Sequence, residues 1–546
     1  MRGADVVVET LARAGVRKIF TLSGNHVMPV FDAALGSGID LVHVRHEAAA
    51  VHMADAWARM TGEVGVALVT GGAGHANAIG ALCTAGSSES PVLLLSGHAA
   101  LEEIGLGAFQ EMRQADLAEP VTKASWTARS ATGLADDIAR AMRIARSGRP
   151  GPVHVSLPFD VLEHRVEAPA QWPAAAAFAA EPMPLARPDA ERILGEISAA
   201  QRPLIIAPPA LCTRRGRALI ASLENAVRAP VVAMESPRGI NDPALGCYAD
   251  VLAAADLIVL LGKPLDFTLR FGRLPPLAPQ CRFIAIEPDP VVAARLAKMP
   301  ERVACHAAAD AAGAVAALIE AARVRAGGDA DTAAAAWCER VHDNIAYRPP
   351  SWRDAQKRED APVHPAELCR QVNELLVRSA DAVFVSDGGE IGQWAQAIIS
   401  APDRLINGPA GAIGASIPFA IAAKAARPEA AVVAVLGDGS FGFHMAEFDT
   451  AVRYGLPFVA VVGNDARWNA EYQIQLRDYG ANRAQGCTLA PATRYDLVAA
   501  ALGGHGELVI CAADLPAALE RAMASRKPAC VNVLIESVAA PVIRRE

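Results

Sequence analysis

The run from Ala431 to Asp465 constrains this chain more than any other. Ala431-Val-Val-Ala-Val-Leu436 is short, apolar and rich in valine, which predicts a buried strand. Gly437-Asp438-Gly439-Ser440 interrupts it. A helix is expected over residues 443–454, stopped by Gly455-Leu-Pro457. Residues 458–462 read as a second buried strand, so the whole is a β-α-β unit whose strands run parallel. Asp438 and Asp465 then both lie just past the carboxyl ends of strands, where open α/β sheets bind ligands. Two carboxyl groups beside glycine turns suit a hard cation such as Mg²⁺, which keeps phosphate oxygens among its ligands. The glycines let backbone N–H groups approach that phosphate. A Gly-Asp-Gly turn is also an ordinary exit from a strand; the second acid, at the end of the next strand, favours the metal.

The same rhythm repeats along the chain. Strands at 18–22, 41–44, 64–70, 91–96 and 153–157 alternate with helices at 4–14, 27–35 and 48–60, which predicts a parallel sheet over residues 1–165. Residues 166–183 are rich in Ala and Pro and read as a linker. A second α/β unit is expected over 184–325, with strands at 203–207, 230–233, 257–261 and 283–286. Residues 326–362 read as a helix plus linker, and 363–535 as a third unit carrying the Gly437–Asp465 stretch. The expected fold is therefore α/β, with three doubly wound parallel-sheet domains. The first and third match in size and rhythm, as paralogous domains would.

Bulk properties exclude several function classes. A net charge of −8 with no basic block argues against nucleic acid as a partner. No apolar run reaches membrane-spanning length, and Met1-Arg-Gly-Ala does not open a signal peptide. The ten cysteines are scattered without C-x-x-C spacing, which predicts buried thiols in a reducing cytoplasm and no zinc site.

Other segments carry the remaining chemistry. Arg45-His46-Glu47-Ala-Ala-Ala sits at a strand–helix junction, where an acid also complements a helix dipole. Gly408-Pro-Ala-Gly411-Ala412-Ile413-Gly414 is a glycine-rich turn before a helix, and Asp387-Gly-Gly389-Glu390-Ile391-Gly opens another. On the face of it, His26 in Ser23-Gly-Asn-His26 and Gln110 in Phe109-Gln110 are ordinary loop residues.

Together these segments resemble the thiamine diphosphate (ThDP)-dependent decarboxylase/carboligase superfamily, along nearly the whole chain. Gly-Asp-Gly followed by Asn464-Asp465 resembles its metal motif, and Arg-His-Glu-Ala-Ala-Ala with Met53-Ala-Asp-Ala-Trp-Ala-Arg59 its glutamate segment. The resemblance implies that Asp438, Asp465 and the backbone of Arg467 hold Mg²⁺, with Asp465 standing where many relatives have Asn. Glu47 would bond N1′ of the aminopyrimidine and promote loss of the C2 proton, a task that needs a semi-buried carboxyl. Ile413 would wedge the cofactor into a V above Gly411 and Ala412. Gly389, Glu390 and Ile391, with Gly437, Gly439 and Ser440, would contact it near the diphosphate.

On the substrate side, His26, Gln110 and Trp468-Asn-Ala470 resemble positions in benzaldehyde lyase, while Phe109-Gln-Glu111 also resembles acetolactate synthase. The implied reaction makes or breaks a C–C bond beside a carbonyl: 2-oxo acid decarboxylation and carboligation, or alternatively acyloin or 2-hydroxyacyl-CoA cleavage. The substrate would be a small 2-oxo acid, acyloin or acyl-CoA. The resemblance also implies a homodimer or homotetramer with the active site at the subunit interface. Leu157-Pro-Phe-Asp160 departs from the Pro-Lys-Asp of acetolactate synthases. Leu261–Arg270 is only loosely similar to their flavin-contacting segment, so FAD is allowed rather than required. Ile284-Ala-Ile-Glu287-Pro-Asp289 ends in acids that suit either a ribose hydroxyl or a plain acidic turn. The rivals from other classes are a catalytically degenerate nucleotide-binding protein, which would lack Glu47, and a nicotinamide dehydrogenase, whose G-x-G-x-x-G is broken at Gly72-Ala-Gly74-His-Ala-Asn77.

Overall fold

A computed structural model describes residues 1–169, 171–325, 332–352 and 362–545. It contains three parallel sheets. The first holds β1 (Lys18–Thr21), β2 (Asp40–His43), β3 (Gly65–Val69), β4 (Val92–His98), β5 (Ala124–Thr127) and β6 (Val153–Pro158). The second holds β7 (Pro203–Ala207), β8 (Val231–Ala233), β9 (Leu257–Leu261), β10 (Arg282–Ile286) and β11 (Val303–Ala307). The third holds β12 (Ala382–Ser386), β13 (Asp403–Ile406), β14 (Ala431–Gly437), β15 (Val459–Asn464), β16 (His505–Val509) and β17 (Ala529–Leu534). Central strands such as β3 and β4 are buried along their whole length, as sheets covered by helices on both faces require.

The first sheet is ordered β2-β1-β3-β4-β6-β5 and the third β13-β12-β14-β15-β17-β16, the same topology shifted along the chain. That identity supports the paralogy expected from their rhythm. In each, the order reverses near the sheet's middle, between β1 and β3 and between β12 and β14. Loops leaving such a switch point open a crevice at the carboxyl ends of the strands. The loops are Ser23–His26 and Thr70–Gly74 in the first sheet, and Asp387–Gly389 and Gly437–Gly439 in the third.

Several local expectations change. The helix expected at 443–454 is two short helices, Asp438–His444 and Glu447–Arg453. Strands β5 and β11 were not expected. The described residues of the linker 166–183 form no strand, but Phe178 is buried in the first domain's core and Trp172 lies under the Arg13 guanidinium. Within 326–362 a helix spans Thr332–Ala346; residues 326–331 and 353–361 lie outside the described residues.

One core joins the first and third domains. Helix Glu47–Thr61 lies against helix Ser416–Ala426, and Ala49, Ala50 and Ala56 share a cluster with Phe419, Ala420 and Ala423. Alanine faces let the helix axes approach closely. At the rim Arg59 forms a bidentate pair with buried Asp55 (2.7 and 2.6 Å) and donates to the Ile406 carbonyl (2.7 Å). The central domain is tied to the first through Arg149, which pairs with Glu89 and with Glu287 (2.6 Å). Glu287 is thereby engaged, and Asp289 caps its own helix at Val291 N–H (2.8 Å).

Candidate active site

The switch point of the third sheet opens into a cavity of about 350 Å³. Its floor is Gly437-Asp438-Gly439-Ser440 with Asp465 and Arg467; Gly389, Glu390 and Ile391 form one wall, Gly411 and Ile413 another, and Trp468 stands at the edge. All the cofactor and metal residues expected from sequence therefore meet here except Ala412. Its carbonyl instead accepts from Nδ2 of Asn407, itself a lining residue (2.8 Å). Gly439 has to be glycine, because a Cβ there would lie 2.5 Å from the Trp468 ring.

Two local devices build the floor and walls. Asn464 Oδ1 accepts Ala466 N–H (3.2 Å), and Leu489 N–H binds the Ala466 carbonyl (2.7 Å). Together they hold Ala466 at φ 56°, a strained value for a residue with a side chain, and turn Asp465 towards Asp438. Asp387, fully buried, accepts N–H groups from Gly388 (2.8 Å), Gly414 (3.0 and 3.1 Å) and Ser416 (3.1 Å). It ties the Gly389 turn to the Ile413 turn. Sequence reading quoted Asp387 but gave it no role; an acid opening a glycine turn was the available signal.

The floor is electrostatically incomplete. Asp438 is 2% exposed, and its Oδ2 is buried without a hydrogen-bond partner. Burial pushes Asp438 up to about 6, against N–H donors from Gly439, Ala466 and Arg467. Burial, and then the Asp438 charge, push Asp465 up to about 7. A cation between two such carboxylates would relieve both. Glu390 is also raised by burial and is paired with Arg238 Nη2 (3.3 Å). Arg238 and Pro237 reach the cavity from the central domain, which no local sequence signal announced.

Glu47, His26 and Gln110 do not line this cavity; among the described residues none before Pro237 does. They gather instead around the turn after β3. A Cβ on Gly74 would sit 3.2 Å from Glu47 Oε1, and one on Gly72 (φ 60°) 2.6 Å from the Gln110 carbonyl. Glu47 is 8% exposed and accepts from Asn77 Nδ2 (3.0 Å), a partner that sequence reading missed. His26 lies 3.4 Å from Thr70 Oγ1 and stacks on Phe109; burial, then His98, lower its pKa, which favours a neutral imidazole. Gln114 is the scaffold of this corner: its Oε1 accepts Gly72 N–H (2.9 Å), and its Nε2 donates to the Gly97 carbonyl and Ser156 Oγ (both 3.0 Å).

A wider groove of about 500 Å³ lies between the first and central domains. Its cations are already engaged: Lys123 binds the Ile144 and Ser147 carbonyls, and Arg149 binds Glu89 and Glu287.

Comparison with known proteins decides what this architecture is. Residues 1–117 match the N-terminal TPP binding domain of thiamine pyrophosphate enzymes, and residues 387–533 match their C-terminal TPP binding domain. A probable acetolactate synthase of Mycobacterium bovis is 34% identical, over 99% of this chain and 97% of its own. The chain belongs to the ThDP-dependent enzyme family. Further relatives are a 2-hydroxyacyl-CoA lyase 2 of Danio rerio, 32% identical over 93% of this chain and 86% of its own, and a probable acetolactate synthase large subunit of Methanocaldococcus jannaschii, 27% identical over 98% and 92%. The protein is thus an acetolactate synthase-like enzyme that uses thiamine diphosphate. The cavity fits that cofactor: the orphaned Asp438 Oδ2 calls for a cation, and two glycine turns offer backbone to a diphosphate. Among the described residues no helix is long and apolar enough to cross a membrane.

Proposed function

We propose that this enzyme joins or cleaves carbonyl compounds in the manner of an acetolactate synthase: a small 2-oxo acid loses CO₂, and the acyl fragment that remains, carrying the electron pair of the broken bond, forms a C–C bond to a second carbonyl, whose oxygen takes up a proton. The observation that carries the reading is the split of the site. The metal and diphosphate residues form one cavity in the third domain, while Glu47, His26 and Gln110 sit apart at the equivalent crevice of the first. Two such half-sites become one when the first domain of one subunit faces the third domain of another, so a homodimer or a homotetramer built from it is implied.

In that arrangement Asp438, Asp465 and the Arg467 carbonyl would hold Mg²⁺, and Gly389–Ile391 and Gly437–Ser440 would hold the diphosphate. Ile413, beside Gly388, would support the cofactor, with Gly411 and Ala412 in the same turn. Glu47 would exchange a proton with a cofactor ring nitrogen, and neutral His26 and Gln110 would serve the reacting carbonyl as proton acceptor and donor. Bound thiamine diphosphate supplies a carbon nucleophile and electron sink. We place the enzyme in the cytoplasm and take its domains as 1–165, 184–325 and 363–535.

FAD has no part in the proposed turnover. At the ends of β9 and β10 the central domain keeps a cavity of only about 10 Å³, walled by Lys263 and Glu287. Lys263 is paired with Asp266 (3.0 Å) and Glu287 with Arg149. The second reading, acyloin or 2-hydroxyacyl-CoA cleavage, is favoured by the lyase relatives that match 93% of the chain. One experiment separates the two. Holoenzyme is incubated with pyruvate, benzoin, oxalyl-CoA and a 2-hydroxyacyl-CoA, with and without added FAD, and products are identified by mass spectrometry. Acetolactate from pyruvate, independent of FAD, is expected. Aldehyde release from the acyl-CoA alone would select the lyase reading, and activity that appears only with FAD would overturn the flavin-free one.

The raised carboxyls predict a pH dependence. Mg²⁺ binds the charged forms, so binding must displace the protons that Asp438 and Asp465 hold, and affinity falls as pH drops through 7 towards 6. The two carboxyls hold more protons at pH 6 than at pH 8, so more protons are released on binding at the lower pH. Titrating preformed Mg²⁺–thiamine diphosphate into the protein, in two buffers of different ionisation enthalpy, measures the release. Equal release at both pH values would contradict the assignment.

A further inference from the structure

We propose that Glu447 is a positioning residue for Glu47: its buried carboxylate grips the Arg45 backbone and so sets where the strand-to-helix turn delivers the Glu47 side chain. The proposal rests on the reading of Glu47 given above.

Strand β2 is an edge of the first sheet, so its outward N–H and C=O groups need partners from elsewhere. They find them on helix Glu447–Arg453 of the third domain and the residue that follows it. Tyr454 Oη accepts the His43 N–H (2.8 Å) and donates to the Leu41 carbonyl (2.9 Å), and Arg453 Nη2 donates to the His43 carbonyl (2.7 Å). Beyond the strand, both oxygens of Glu447 accept the Arg45 N–H (3.0 and 3.2 Å). Thr450 Oγ1 donates to Glu447 Oε2 (2.6 Å) and fixes its rotamer. Positions 447, 450 and 454 share one helical face, which explains how one short segment follows the backbone from Leu41 to Arg45.

Tyr454 and Arg453 cover the edge strand; Glu447 does something more specific. It is fully buried, a costly place for a carboxyl unless it is hydrogen-bonded, and its bonds go to the Arg45 N–H and the Thr450 hydroxyl. Its target lies two residues before Glu47, at the point where the chain leaves the strand. There the His46 side chain accepts Ala48 N–H (3.1 Å) and starts the helix. Glu47 is thus held from ahead by Asn77 and from behind by Glu447. Glu447 also follows closely on the helix that begins at Asp438. It therefore connects a chain's own metal-binding segment to the acid that the same chain lends to a partner's cavity.

The test compares Glu447→Gln, Thr450→Val and Tyr454→Phe. In cofactor-free protein, hydrogen–deuterium exchange of the peptide spanning Arg45 and His46 should speed up in Glu447→Gln. In holoenzyme, Glu447→Gln should leave thiamine diphosphate affinity by calorimetry nearly unchanged. It should slow C2–H exchange of the bound cofactor by about 10–100-fold, the scale of an ångström-level misplacement. Thr450→Val should give a smaller fall in the same direction, and it carries the test if Glu447→Gln does not fold. Tyr454→Phe loosens β2 without touching Arg45 and should leave C2–H exchange at the wild-type rate. Wild-type C2–H exchange in Glu447→Gln, or an equal fall in Tyr454→Phe, overturns the positioning role, because the contact is then only a domain seam. If Glu47→Gln itself exchanges at the wild-type rate, the proposed role of Glu47 fails first and takes this one with it.

Discussion

Asp438→Ala should abolish Mg²⁺-dependent binding of thiamine diphosphate. The carboxylate is 2% exposed, one of its oxygens has no partner within the protein, and burial has already lifted its pKa to about 6. A protein gains nothing from such a group in isolation; the proposed cation would complete it. Outer partners of a metal are each worth about 10–100-fold in affinity, so loss of a direct ligand should cost at least that. Folding should not suffer. Removing an underpaired buried carboxyl should leave the cofactor-free protein as stable as wild type or more so, most clearly above the pH at which Asp438 ionises. There the wild type carries a charge that folding disfavours, since a carboxyl raised on folding contributes stability only while protonated. Calorimetric titration with and without Mg²⁺, beside thermal unfolding of the apo forms, reads both. Affinity unchanged by exhaustive chelation would remove the metal from the account.

What the sequence made legible was local. Asp438 and Asp465 each follow a strand directly and Glu47 lies four residues past one, and the β-α-β rhythm alone puts such residues at the open end of a parallel sheet. The errors have equally local causes. The helix at Asp438 was expected later because Gly439 and Gly442 are poor helix formers, and tertiary packing overrode that preference. Strands β5 (Ala-Ser-Trp-Thr) and β11 (Val-Ala-Cys-His-Ala) lie at sheet edges, are only partly buried and carry no apolar run to betray them. Contacts between distant segments left no trace in either. Glu447 meets Arg45 across 402 positions and Arg238 meets Glu390 across 152, and a single chain without its fold offers no period or spacing that links them. Gln114 was overlooked beside Gln110 for a related reason. Both look like loop glutamines, and only burial separates the scaffold from the half-exposed neighbour.

Glu47→Gln should slow C2–H exchange of bound thiamine diphosphate, and turnover with it, by about 10²–10⁴-fold, the usual worth of a positioned acid–base group. The amide keeps the size of the side chain and an acceptor for Asn77 Nδ2, so cofactor affinity and stability should change little. A Glu47 that merely favoured the start of its helix would show the opposite pattern, a small loss of stability and no change in exchange.

The two variants together test the central claim, that each active site takes Glu47 from one subunit and Asp438 from another. Glu47→Gln and Asp438→Ala chains, each inactive alone, are mixed, dissociated and reassociated, and turnover is measured. Random pairing makes half of the dimers mixed, and each mixed dimer holds one site with both groups intact, so activity should return to about a quarter of wild type. No recovery, with mixed dimers demonstrated in the sample, would mean that both groups act within one chain, and the account would be wrong.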